Sequence, residues 1–156
     1  MTEINTDQTT STPFRIPIRV YYEDTDAGGV VYHSNYINFF ERARTEWLRS
    51  LGFEQDQLIS EHQFVFVVRA LDCEYLRPAK FNDELFVTAD IRTLGKTSVV
   101  FKQQIIRATK PEEISKQGDH VILAQGHVTV VAVDSEKFKP KRLPSFLLEK
   151  IKMNKG

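Results

Sequence analysis

A single stretch of helical periodicity, set in a chain that otherwise alternates like β-strands, limits the possible folds more than any other feature. Over residues 35–51, Tyr36, Phe40, Ala43, Trp47 and Leu51 recur at helical spacing, with Ile37 and Leu48 beside them. Ser34 or Asn35 is the predicted N-cap. Gly52 follows directly, where a left-handed C-terminal cap is expected. Arg42, Arg44, Glu46 and Arg49 fall mostly on the other faces. A helix of about 17 residues is a rod of roughly 25 Å at about 1.5 Å per residue. Its apolar stripe needs a cover, and with no second long helical period in the chain that cover must be a sheet.

The strand-like runs supply it. Residues 14–22 put Ile16, Ile18 and Val20 on one face and Arg15, Pro17 and Arg19 on the other. Pro17 cannot donate to a sheet ladder, so this strand is expected at an edge or a bulge. Residues 62–75 are rich in Val and Phe with no helical period. Leu85, Val87, Ala89 and Ile91 alternate, as do Val99, Phe101, Gln103 and Ile105 within residues 97–107. Residues 121–133 are apolar on both faces and are expected to be covered on both. Breaks fall at Arg77-Pro78, at residues 81–83 and at residues 94–96; residues 110–120 read as a long exposed hairpin tip. The expected fold class is α+β, a curved antiparallel sheet wrapped around one long central helix. It occupies residues 13–136, between a disordered tail at residues 1–12 and a basic tail or short helix at residues 137–156.

Charge excludes some function classes. Lys plus Arg equals Asp plus Glu at 21 each, so no global field draws the chain to nucleic acid or to an anionic membrane. No apolar run reaches the roughly 20 residues of a membrane span. The first twelve residues are polar and do not read as a secretory signal. The single cysteine, Cys73, allows neither an internal disulfide nor a zinc-finger spacing. This fits a reducing cytoplasm, with Cys73 a structural thiol inside a strand.

Between the first strand and the helix lies the segment YYEDTDAGGVVYHSNY, residues 21–36. Asp26 opens a glycine turn, and His33 follows seven residues later, near the start of the helix. A carboxylate beside flexible amides and the positive end of a helix can attack a polarised carbonyl or activate water against it. The bland alternative is an Asp that bonds the amides of its own turn. Asp24 and Glu23 are rival acids, and Asp24 shares the side of Asp26 if strand geometry persists. Gly28 and Gly29 permit close backbone approach, yet no Gly-Lys-Ser/Thr follows to make a phosphate loop. Gly29, Val30, Val31, Tyr32 and Ser34 are the candidate oxyanion and substrate-binding positions. Tyr32 and Tyr36 are candidate walls for an acyl group, Tyr36 reading equally well as core. His33 is placed to orient substrate or water. The carboxylates lack the spacing of a calcium loop, so no metal site is expected.

This segment, with Asp26-Ala-Gly-Gly-Val-Val-Tyr-His33 intact and Phe39-Phe-Glu-Arg-Ala-Arg44 after it, resembles the 4-hydroxybenzoyl-CoA thioesterase family of the hotdog fold. Within that family it is similar to the YbgC-type, Tol-Pal-associated acyl-CoA thioesterases. The strand order agrees over roughly residues 13–134. The resemblance implies an acyl-CoA thioesterase that releases a free acid and CoA, with Asp26 as nucleophile or general base. It assigns the His33 position a backbone amide that polarises the thioester carbonyl, and its side chain an assisting role. It also implies a homo-oligomer with sheets joined edge to edge, active sites between subunits, and a dimer of dimers. CoA enters as part of the substrate and no cofactor is expected. Its phosphates call for cations; Arg77, Lys80 and Lys96, at strand ends or turns, are the candidates. Glu41 is an alternative acid, because another hotdog branch carries its carboxylate on the central helix. A different class of function is a module that binds acyl carrier protein or envelope-system partners and hydrolyses weakly. A hotdog dehydratase fits less well, because the acid here precedes the helix.

Overall fold

The computed structural model describes residues 13–108 and 121–155, together with a two-residue strand at 2–3. Six strands, β1 (Thr2–Glu3), β2 (Phe14–Arg19), β3 (Phe64–Tyr75), β4 (Glu84–Leu94), β5 (Ser98–Arg107) and β6 (Val121–Asp134), make one antiparallel sheet. Its order is β4–β5–β6–β3. Both β2 and β1 lie on the outer edge of β4, β2 along residues 84–89 and β1 against Thr93 and Leu94. Pro17 pairs with Phe86 on this edge strand, where its missing N–H costs no ladder bond.

The central helix α1 (His33–Ser50) buries Tyr36, Phe39, Phe40, Ala43, Trp47 and Leu48. These meet the inward residues of the sheet, among them Leu85, Val87, Ile91, Val99, Phe101 and Ile105. Trp47 packs edge-on against Phe101 with ring centroids 5.0 Å apart. Register shifts at Val68/Ala70, Ile91/Thr93 and Ile105/Ile106 mark bulges, which bend strands and strengthen their twist. A curved sheet around one long helix is the expected hotdog arrangement.

Several local expectations change. α1 begins at His33, and its N-cap, Tyr32, makes no side-chain cap bond. Ser34 is therefore the second helical residue rather than a cap. Gly52 takes φ +97° just past the helix end, as a left-handed cap requires. A second helix, α2 (Gln55–His62), buries only Leu58. The C-terminal segment forms α3 (Ser145–Lys155), and Leu143, Leu147 and Ile151 join the core, so the packed unit extends past residue 136. Among β6 residues, Val130, Val131, Ala132 and Val133 are all buried, the two-sided cover their pattern called for. Most of the expected N-terminal tail, and all of the expected hairpin tip at 110–120, lie outside the described residues.

Arg44, expected off the apolar stripe, is tied to the sheet. It is half-buried and donates Nη1 to Gln103 Oε1 at 2.9 Å. Gln103 is fully buried and donates Nε2 to the carbonyls of Phe40 and Thr88, both at 3.0 Å. The β4–β5 ladder lacks partners between Val87↔Ile105 and Asp90↔Lys102. Side chains close that gap, because Thr88 Oγ1 accepts the Gln104 amide at 2.8 Å. The polar staple fixes α1 to the sheet in the middle of its length.

Candidate active site

Asp24 shapes the loop that leads into α1. It is buried, and its Oδ2 accepts the Tyr21 amide at 2.9 Å. Its carbonyl accepts the Tyr32 amide at 2.9 Å and Asn35 Nδ2 at 3.0 Å. One residue thus ties the start of the loop to the start of the helix, and this structural work accounts for a side chain that the sequence offered as a rival acid. Glu23 is exposed in the short 3₁₀ turn Tyr22–Asp24.

Beyond Asp24 the chain makes a tight hairpin. Thr25 bridges to Val31, the Asp26 amide donates to Val30 O at 2.9 Å, and the Gly29 amide returns to Asp26 O at 3.0 Å. Gly29 stands at φ +81°, a conformation that side chains with a Cβ rarely take. Asp26 is exposed at the entry of this turn. Its Oδ1 accepts the Gly28 amide at 2.8 Å, while Oδ2 has no partner among the described residues. The bland and the functional readings of this side chain are therefore compatible: one oxygen holds the carboxylate in place and the other is open.

The same bonds sort the candidate oxyanion donors. The Gly29 amide is used inside the turn, the Val31 amide donates to Ala79 O at 2.8 Å, and the Tyr32 amide is held by Asp24. The Asn35 amide donates to Tyr32 O at 2.8 Å. The amides of Val30, His33 and Ser34 have no acceptor among the described residues. Those of His33 and Ser34 lie in the first turn of α1, where orphan N–H groups and the helix dipole favour negative charge.

The His33 ring is exposed, with its centroid 4.5 Å from that of Tyr32. Tyr75, at the end of β3, donates its hydroxyl to the His33 carbonyl at 3.1 Å and lies edge-on to Tyr36 at 5.2 Å. Sequence reasoning missed Tyr75, since the end of a strand carries no signal that it will meet the first residue of a helix. Tyr36 is buried and its hydroxyl accepts the Ala79 amide at 3.0 Å; burial pushes its phenol above the usual range. Cys73 is half-buried, and its thiol is likewise pushed up by burial.

The three cation candidates separate. Lys80 is drawn to the hairpin by a bridge between Val30 and Lys80, and Arg77 is exposed just past β3. Lys96 sits beyond the far end of β4, where its carbonyl holds the Leu143 amide at 2.8 Å. A strand of 11 residues spans about 36 Å, so Lys96 and Lys80 do not meet one ligand within a single chain. Glu41 lies elsewhere again. It lines a cavity of about 250 Å³ between α1 and β3, with Ile37, Arg44, Leu48, Phe66 and Val68. Burial pulls the Arg44 guanidinium down, and Glu41 partly offsets this.

Comparison with known proteins agrees with this architecture. Residues 28–114 match the family model of the thioesterase superfamily. The chain belongs to that superfamily. Among curated thioesterases, an acyl-CoA thioester hydrolase YbgC of Escherichia coli is 44% identical over 142 residues, covering 91% of this chain and 98% of its own. An acyl-CoA thioesterase YbgC of Haemophilus influenzae is 44% identical over 131 residues, covering 84% of this chain and 88% of its own. The crystal structure of a probable thioesterase from Bartonella henselae superposes with a TM-score of 0.73 at 33% identity, covering 85% of this chain and 100% of that one. A 4-hydroxybenzoyl-CoA thioesterase solved with 4-hydroxybenzoyl-CoA shares the fold at a TM-score of 0.77 and 19% identity, over 87% of this chain and 96% of that one. The hotdog fold and the thioesterase family are thus established for this chain.

Proposed function

We propose that this protein hydrolyses acyl-CoA thioesters to a free acid and CoA, with Asp26 as the reacting carboxylate. The observation that carries the reading is the open Oδ2 of Asp26, on a hairpin whose return strand leads directly into the unpaired amides of His33 and Ser34. The similarity to YbgC relatives that are acyl-CoA thioester hydrolases supports an acyl-CoA substrate.

In this reading the thioester carbonyl points at the His33 and Ser34 amides, with Val30 as a further donor. Negative charge developing on that oxygen is stabilised by fixed dipoles that need no reorganisation. Asp26 Oδ2 either removes a proton from water as it attacks, or itself attacks the carbonyl to form an anhydride that water then opens. In both routes the C–S bond breaks, the thiolate leaves and one water oxygen is taken up: by the acid in general-base attack, and in the anhydride route by Asp26 or by the acid, according to which carbonyl carbon of the anhydride water attacks. Water is the only co-reactant the proposal needs. The His33 side chain orients water or substrate, and Tyr32, Tyr36 and Tyr75 form the wall beside it. Lys80, whose backbone bridges to the hairpin at Val30, and Arg77 are the cations assigned to the phosphates of CoA; Lys96 is left out of a site built by one chain. Asp26 is exposed in the single chain, and we place the opposite wall of the site on a second copy in a homo-oligomer, a dimer of dimers. No helix among the described residues is long and apolar enough to cross a membrane, and a cytoplasmic location, beside the Tol-Pal system or an acyl carrier protein partner, belongs to the same proposal.

Release of free thiol from a panel of acyl-CoAs by the wild-type protein tests the activity, and no release from any of them refutes it. A single turnover in heavy-oxygen water probes the routes: label recovered in the Asp26 carboxylate marks an anhydride opened at the side-chain carboxyl carbon, and label confined to the product acid marks attack of water at the acyl carbon.

A further inference from the structure

Beside the Asp26 hairpin, two aromatic rings stack in the open. Tyr22 and Phe81 lie with ring centroids 3.9 Å apart and planes 10° from parallel. Yet 78% of Tyr22 and 37% of Phe81 is exposed. Side chains of this size are usually buried or covered, and a flat pair left in water presents a π-surface with no partner. Both rings sit on braced backbone. Val20 is bonded twice across the two loops: its N–H donates to Asp83 O, and its carbonyl accepts the Asn82 N–H, both at 2.9 Å. Arg19 Nη1 donates to Asn82 O at 3.0 Å, and Arg107 Nη2 to Pro78 O at 3.0 Å. Asp83 holds the Lys80 amide at 2.9 Å and pairs with Arg107 Nε at 3.3 Å. The stack is therefore preorganised, so a ligand ring that docks on it pays little ordering cost.

Its neighbours indicate which ligand. Lys80 adjoins Phe81 in the chain, and its ammonium has no carboxylate partner among the described residues; Arg77 is exposed three residues before it. The Val30–Lys80 bridge ties this loop to the Asp26 hairpin, and Tyr22 itself is four residues from Asp26. A flat aromatic face next to unpaired cations is the recognition chemistry of a nucleotide, the base on the ring and the phosphates on the cations. We propose that the Tyr22–Phe81 stack is the platform for the adenine of the CoA half of the substrate, with Lys80 taking phosphate. The proposal deepens the thioesterase reading and rests on it for the identity of the ligand. It also gives the site a means of favouring CoA thioesters over thioesters that carry only pantetheine.

The test compares two substrates bearing the same acyl group, an acyl-CoA and the corresponding acyl-pantetheine, on wild type, Tyr22→Leu and Tyr22→Trp. Loss of base stacking on one aromatic ring is expected to raise KM for the acyl-CoA about 10-fold in Tyr22→Leu, with kcat within about twofold and acyl-pantetheine kinetics unchanged. Tyr22→Trp, which keeps a π-face, restores KM. Circular dichroism and light scattering check that fold and oligomeric state are retained. Unchanged KM for the acyl-CoA, an equal rise for both substrates, or a changed oligomeric state overturns the platform. Adenosine 3′,5′-bisphosphate supplies a readout independent of turnover. Calorimetric binding to wild type that is lost in Tyr22→Leu supports the platform even if no thioester is hydrolysed, and equal binding to both proteins overturns it.

Discussion

Replacing Gln103 with leucine removes the staple between α1 and the sheet at almost constant volume. In the wild type the amide satisfies the Thr88 carbonyl at a place where the β4–β5 ladder supplies no bond. Orphaning that buried carbonyl costs about 1–3 kcal/mol. The Phe40 carbonyl retains a helical partner and contributes little. Arg44 loses its bond to Oε1, but it is only half-buried and can turn toward water, so the loss there is about 1 kcal/mol. Burying leucine in place of an amide returns about 1–1.5 kcal/mol. The net expectation is a loss of about 2 kcal/mol, or about 4–8 °C in Tm for a domain of this size. Urea unfolding followed by Trp47 fluorescence reads it directly, since Trp47 is the sole tryptophan and packs on Phe101. Unfolding midpoints shifted by less than the equivalent of about 0.5 kcal/mol would mean that the amide does not anchor the helix.

Three further outcomes follow from single contacts. Tyr36→Phe deprives the buried Ala79 amide of its acceptor and should cost about 1–2 kcal/mol in thermal unfolding at neutral pH. The phenol of Tyr36 is raised by burial, so below the ordinary tyrosine range it stays neutral in both states and favours neither. As pH rises past that range the unfolded chain ionises first and stability falls; the Phe variant should lack this part of the alkaline loss, and identical alkaline limbs would contradict the assignment. A Cβ on Gly126 would stand 1.9 Å from the Asp72 carbonyl oxygen of the neighbouring strand, so Gly126→Ala should destabilise by about 3 kcal/mol or more through forced separation of β3 and β6; a normal unfolding midpoint would show that the strands part easily.

The parts of this fold that were legible share one property: each repeats. Residues 36–51 and the alternating strands announce their buried faces by period, and even Gln103 fell in register with Val99, Phe101 and Ile105, so its interior position was readable while its partner Arg44 was not. What stayed hidden depends on single contacts. α2 rests on one buried residue, Leu58, too little to form a stripe. In α3 the lysines of the segment mask Leu147 and Ile151, which are buried at helical spacing. Asp24 and Asp26 are two residues apart with the same side chain, and only tertiary bonds to Tyr21, Tyr32 and Asn35 distinguish the buried tie from the open carboxylate. Family resemblance pointed to the candidate site; the hydrogen bonds leave the Val30, His33 and Ser34 amides without an acceptor among the described residues and so available as donors.

Hydrolysis of one acyl-CoA by wild type, Asp26→Asn and Glu41→Gln, measured as thiol release at saturating substrate, tests the central claim most directly. Asparagine keeps the Gly28 bond and the shape of the turn, so only the reacting charge is lost. Asp26→Asn should lower kcat by about 100-fold or more, and Glu41→Gln should stay within a few-fold of wild type. Near-normal turnover by Asp26→Asn, above all beside a collapse in Glu41→Gln, would move the chemistry from the hairpin to the cavity along α1.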